Sequence, residues 1–320
     1  MNDPSGAPRS PADINSLPPP SSQGADIARS WYIPPTPRLK TGFLVYSFDF
    51  LLAALQGSVA GPQHIRRSIA WLIAGAIVQT LLALLQVIIM AIAYVPVLNW
   101  LLETLARSFT RNAFGFFLRS CYWKARLRHL GADTIIDQGV EIWGPGNVSI
   151  GSRCHIDTHV RMAAGERSQG QHGSIQIGDY THIGPGVHIA GRGGVEIGDC
   201  VGIMANVHLY SATGVIENPK DPGALMAMSH MAPHDQQFVI EAPIRIHDRA
   251  FLGMMARIMP GVEIGCGAIV HANCEVTRNV PPFANVGGIP RGRQIGWRRP
   301  RRPSPHLVSA PETKHPSTQP

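Results

Sequence analysis

The chain has 320 residues, a net charge of +7 and 44% hydrophobic residues, enough for one sizeable domain with attachments. Five cysteines, an odd number at scattered spacings with no CxxC pair, do not read as a disulfide framework, so reduced, mostly buried thiols in a cytosolic setting are expected. The basic charge is clustered rather than spread, and the first cluster lies beside an apolar span, where membrane head groups are a simpler partner than nucleic acid.

Residues 1–40 hold nine prolines and several serines, and such a segment cannot bury a core. A disordered arm is expected there. Residues 41–102 are expected to form a hydrophobic membrane region. From Ile69 to Leu102 no residue is charged, and about 20 apolar residues suffice to cross a bilayer. A transmembrane helix is expected over Ile69–Val95, with Trp71 and Trp100 near the two interfaces and Pro96 marking its end or a kink. Phe43 to Ala60 is a second apolar stretch, shorter and interrupted by Asp49, suited to a second span or an interfacial helix. Arg107, Arg111, Arg119, Lys124, Arg126 and Arg128 follow the long apolar stretch, which favours a cytosolic C-terminal domain. Residues 103–133 mix these cations with Phe, Leu and Trp and predict one amphipathic basic helix on the membrane surface.

Residues 134–297 carry a six-residue period, clearest from Thr134 to Val276. An aliphatic residue opens each unit, Gly often follows, and a small or β-branched residue comes four places later. Ile150 leads to Cys154, Ile177 to Thr181, Ile197 to Val201, Leu252 to Ala256 and Ile264 to Ala268. The pattern predicts a parallel β-helix in which the aliphatic residues stack inward and glycine supplies corner dihedrals. Two stretches break the period, 163–174 and 210–243, and a loop as long as the second is usually functional. Residues 298–320 form a second basic, Pro-rich tail expected to be disordered.

The run Ile258-Met-Pro-Gly-Val-Glu-Ile-Gly through Val280-Pro-Pro-Phe-Ala-Asn-Val-Gly-Gly-Ile-Pro290 resembles the ending of the hexapeptide-repeat acyltransferases, of the galactoside, maltose and polysaccharide O-acetyltransferase kind. The resemblance implies a left-handed coil, a homotrimer, and transfer of an acetyl group from acetyl-CoA to a hydroxyl of a sugar, glycan or lipid-linked acceptor, with no metal. It also implies a projecting loop at 210–243 and a catalytic histidine that takes the acceptor's proton. That histidine's position is held here by Gly214 or Val215. Substitutes are His208, which directly precedes the loop, and His230 and His234 within it. His188 falls in the same outward slot as His208 one coil earlier, flanked by Arg161 and Arg257, so a column of imidazoles and guanidinia is expected. His188, Arg257, Gly288, Pro290 and Arg291 are the expected coenzyme A contacts, the glycine and proline by alignment with the family's cofactor-side turn. Two other functions are compatible with the residues. One is a zinc centre of the γ-carbonic-anhydrase kind using His188 and His208, which needs three imidazoles and an open position. The other is a non-catalytic membrane scaffold that keeps the fold.

Overall fold

A computed structural model describes residues 43–47, 50, 69–165, 173–215, 217–218, 221–288 and 293–297. The arm 1–40, the tail 298–320, and the residues Pro290 and Arg291 lie outside them, as does most of the stretch Phe43 to Ala60.

Among the described residues three helices precede the coil: α1 (Ile69–Ala93), α2 (Pro96–Ser108) and α3 (Ala113–Arg126). Pro96 opens α2, where its missing N–H costs nothing. Within α1, Gly75–Ala93 is long and apolar enough to cross a membrane, and only 17% of it is buried. Where one amphipathic helix is expected over 103–133, the chain instead makes the end of α2, all of α3 and the first strand of the coil. Asn112 starts α3 as an N-cap, its side chain accepting from the Gly115 amide at 2.7 Å. Helix α3 is not a surface helix. Phe117, Leu118, Cys121, Tyr122 and Trp123 are buried between α1 and the first coil. The basic residues that suggested a membrane face have structural work: Arg119 is fully buried and donates to the carbonyls of Ile136 and Phe109, and Lys124 donates to that of Leu130. Residues 43–47 are strapped across this unit. The Gln86 amide bonds Val45 and Phe43, while the Ser47 amide and hydroxyl donate to the Asp133 carboxylate.

Three parallel sheets follow, each taking every third strand of the winding chain. One coil reads Val148–Ile150, His155–Ile156 and Arg161–Ala163; the next reads Ile175–Ile177, His182–Ile183 and His188–Ala190. Six such coils stack among the described residues, starting at His129–Leu130 and ending at Glu275–Val276. The aliphatic residues and the small ones four places later are all buried, so the expected inward columns are present. Cys154 and Cys274 lie in them, and burial raises both thiols, Cys154 to about 12, which leaves them protonated and inert.

The reason for the recurrent glycine differs from the expected one. Left-handed dihedrals occur two residues after it, on side-chain-bearing residues: Arg153 (φ 55°), Tyr180 (φ 57°), Cys200 (φ 56°) and Met255 (φ 60°). The glycines are required by close approach. A Cβ on Gly151 would lie 2.5 Å from Oδ1 of Asp179 in the next coil. That oxygen already accepts from the Ser152 amide at 2.7 Å, and Asp199 and Asp248 repeat the bond one and two coils on. The glycine makes room for a ladder of aspartates that ties each corner to its neighbour.

The coil ends differently from the way it runs. Ala284–Gly287 continues the second sheet in parallel, and Arg293–Trp297 then folds back antiparallel along it.

Candidate functional site

The third sheet carries the expected column. Arg161 pairs in register with His188, His188 with His208, and His208 with Arg257. Strand registry therefore places four long polar side chains on one outer face. The imidazoles of His188 and His208 stand 5.9 Å apart, ring centre to ring centre. The column extends further than the sequence suggested, to Glu141 before Arg161 and Glu275 after Arg257. Carboxylates thus bracket the cations at both ends, and Glu141 pairs with Arg107 of α2 and with Arg161 at 3.7 Å.

Two further residues complete the site. Tyr210 lies two places after His208, on the same face of the strand, and its hydroxyl is 2.9 Å from Nδ1 of His208. Its ring stacks on His208 at 5.6 Å and reaches His188 at 6.0 Å. His159 sits at the neighbouring corner with φ 57° and, with Arg161, Gly186, His188, His208 and Tyr210, lines an open cavity of about 330 Å³. The period-2 alternation of a strand was the available signal for Tyr210.

Electrostatics favour neutral imidazoles. Burial lowers the pKa of His188 below its ordinary 6.5, and the charges of His208 and Arg161 lower it further. Burial and Arg257 act the same way on His208. A neutral imidazole with one nitrogen tied to a phenol is suited to accept a proton at the other.

The long interruption rises beside this cavity. Its base is an antiparallel pair, Ala212–Gly214 against Val239–Glu241. Ser211 anchors it, its hydroxyl donating to the Ala190 carbonyl at 2.6 Å and accepting from the Gly193 amide at 2.8 Å. Gly214, at the place of the expected histidine, is exposed next to Met228. His230 is exposed in the loop, and its carbonyl accepts from the Gln237 amide; it does not line the cavity. His234 opens a short 3-10 turn, and its side chain is not among those described. Gly288, with φ 108°, follows the last parallel strand and turns the chain.

No family model matches the chain. It is 28% identical over 163 residues to a dTDP-4-amino-4,6-dideoxy-D-glucose acyltransferase of Escherichia coli, covering 51% of this chain and 79% of the relative. It is 26% identical over 136 residues to the putative lipopolysaccharide biosynthesis O-acetyl transferase WbbJ of Escherichia coli K12, covering 37% and 69% respectively. Among solved structures it is similar to AntD, an N-acyltransferase from Bacillus cereus in complex with dTDP and 3-hydroxybutyryl-CoA. That match has 24% identity and a TM-score of 0.48, over 55% of this chain and 86% of AntD. The relatives are acyltransferases, as the hexapeptide-repeat resemblance implied.

Proposed function

We propose that this chain is an acyl-CoA-dependent hexapeptide-repeat acyltransferase that moves an acetyl group from acetyl-CoA to a sugar-type acceptor, with His208 as general base. The observation that carries this reading is the contact between His208 Nδ1 and the Tyr210 hydroxyl inside the cavity at the foot of the long loop. For Nε2 to take a proton, Nδ1 must hold the ring hydrogen and donate it to the Tyr210 oxygen. The acceptor hydroxyl then gives its proton to Nε2 as its oxygen attacks the thioester carbonyl. When the tetrahedral adduct collapses, the coenzyme A thiolate leaves and takes the proton from the imidazolium. Arg161 and Arg257, at either end of the imidazole pair, supply fixed positive charge for the cofactor's phosphates or the oxyanion. Gly288 and Pro290 are the proposed cofactor-side turn, with Arg291 beside it for the cofactor's phosphates.

The sugar acceptor is supported by the relatives' names, one a dideoxy-amino-sugar acyltransferase and one an O-acetyl transferase of lipopolysaccharide biosynthesis. A hydroxyl of a glycan or lipid-linked sugar is the proposed nucleophile. Membrane attachment through α1 is supported by the exposed side chains of Ile73, Ile77, Leu81, Leu84 and Ile88. With α1 in a bilayer, α3 holds the coil at the membrane surface, where a lipid-linked acceptor would be presented on the cytosolic side. A left-handed coil and a homotrimer complete the proposal.

The test is purified protein in detergent with acetyl-CoA and a sugar-nucleotide or lipid-linked sugar panel, following thiol release. His208→Ala should lower kcat/KM by about 10²–10⁴. Full activity in that variant would remove the assignment, and absence of coenzyme A binding by calorimetry would favour the non-catalytic scaffold.

A further inference from the structure

A second imidazole pair lies on the adjacent sheet, outside the cavity. His155 and His182 are in register in successive coils, and their rings stack at 5.2 Å with 27° between planes. Asp157 sits two residues after His155. One ring nitrogen of each histidine and a carboxylate oxygen of Asp157 all lie within 4.8 Å of one another, and all three residues are half-buried.

The local bonding prepares this cluster to receive a cation. Oδ1 of Asp157 accepts from the Thr158 amide at 2.7 Å, which fixes the carboxylate and leaves Oδ2 toward His182 Nε2 at 3.8 Å. Asp137 repeats the arrangement one coil earlier. Its Oδ1 accepts from the Gln138 amide at 2.8 Å, and its Oδ2 faces His155 Nε2 at 3.7 Å. These gaps are too long for hydrogen bonds. His155 Nε2 is buried and finds no hydrogen-bond partner among the described residues, a costly state for a ring nitrogen. Ligands about 2.0–2.2 Å from a tetrahedral zinc stand about 3.4 Å apart, so the observed separations need only small side-chain shifts to close on an ion.

We propose that His155, Asp157 and His182 form a site for a divalent transition-metal ion of the zinc type. Two imidazoles and one carboxylate are a donor set such ions prefer, whereas magnesium and calcium favour all-oxygen surroundings. Asp137 becomes the outer partner of His155 when that ring ligates through Nδ1 and closes the 3.7 Å gap to donate Nε2–H to Oδ2. It is fully buried and held by Arg111 at 2.8 Å, so it can orient the imidazole without ligating the ion. The site joins the second and third coils, and through Asp137 the first. Its role is to clamp the end of the coil that carries α3, and it takes no part in acyl transfer.

The experiment is chelator-treated full-length protein in detergent, titrated with Zn²⁺ by calorimetry and followed by thermal unfolding, with Co²⁺ as a spectroscopic probe. About one Zn²⁺ per chain is expected, with a raised unfolding midpoint and the visible bands of four-coordinate Co²⁺. His155→Gln/His182→Gln should lose that equivalent and the midpoint shift, while His208→Ala keeps both. Asp157→Asn retains the bond to Thr158 and serves if the double variant fails to fold; it should weaken Zn²⁺ binding with an unchanged apo midpoint. Zn²⁺ binding that is absent from the wild type, or that both the double variant and Asp157→Asn keep undiminished, overturns the site. Because the readouts are metal binding and unfolding, the outcome does not depend on acyltransferase activity.

Discussion

Oη of Tyr210 lies 2.9 Å from Nδ1 of His208, on the same face of one strand two residues away. The bond occupies Nδ1, and with the ring as donor Nε2 is the nitrogen left to act as base. Tyr210→Phe removes the bond while keeping the stacked ring, so Nδ1 loses its fixed partner. One such bond is worth about 1–1.5 kcal/mol, so kcat should fall about tenfold with little change in KM. Steady-state kinetics with acetyl-CoA check this, and an unaltered kcat would detach Tyr210 from the chemistry.

The acid limb of activity should lie below pH 6.5. His208 is faced by His188 from the preceding coil, by Arg257 from the following coil and by Tyr210 on its own strand, with Arg161 and His159 beyond His188. Burial first and Arg257 second lower its pKa from 6.5, so the neutral base persists as the pH falls past the ordinary histidine value. Arg257→Gln removes the second cause and should move the limb of kcat/KM upward, toward 6.5. The same sign applies to stability. The unfolded chain binds these protons more readily than the folded one, so stability drops as pH falls below 6.5.

Gly151→Ala should destabilise the coil by about 1–3 kcal/mol, because the new methyl meets an aspartate oxygen already committed to a backbone amide. Gly146→Ala is the matched control: nothing lies within 4 Å of its Cβ position, and the change should stay within about 0.5 kcal/mol. Thermal unfolding of both variants in one detergent gives the comparison.

Arg119→Met should lower stability by about 1–3 kcal/mol, mainly through the buried Ile136 carbonyl left without a donor. The guanidinium donates to Ile136 at 2.9 Å and to Phe109 at 2.7 Å, one in the coil and one at the end of α2. Loss of these bonds should loosen α3 from the first coil, read as faster amide exchange over Ala113–Arg126 than over the central coils.

The periodic part of the fold was legible because its constraint is local. An inward Ile must be followed four places later by something small, and Ile150 with Cys154 or Ile197 with Val201 show this directly. The histidine column was legible for the same reason, since counting along the coils puts His188 beside His208. Contacts that cross an interruption were harder to see. His155 and His182 are 27 residues apart, with the 163–174 excursion between them, so their registry hides in a changed count. The buried role of Arg119 was invisible because a cation beside an apolar span reads equally as a membrane anchor. The glycine pattern was seen but given the wrong cause: its partner, Asp179 for Gly151, comes from the next coil, and nothing in the hexapeptide itself names it.

The antiparallel strand Arg293–Trp297 gives the molecule a polarity of growth. A stack of parallel rungs has no intrinsic length, and each open end is a template for another chain. Helix α3 closes one end and this reversed strand lies along the other. The reversed strand is thus a terminator. A chain shortened before Arg293 would keep its six coils and expose Ala284–Gly287 along its free edge, inviting end-to-end fibres in place of discrete particles.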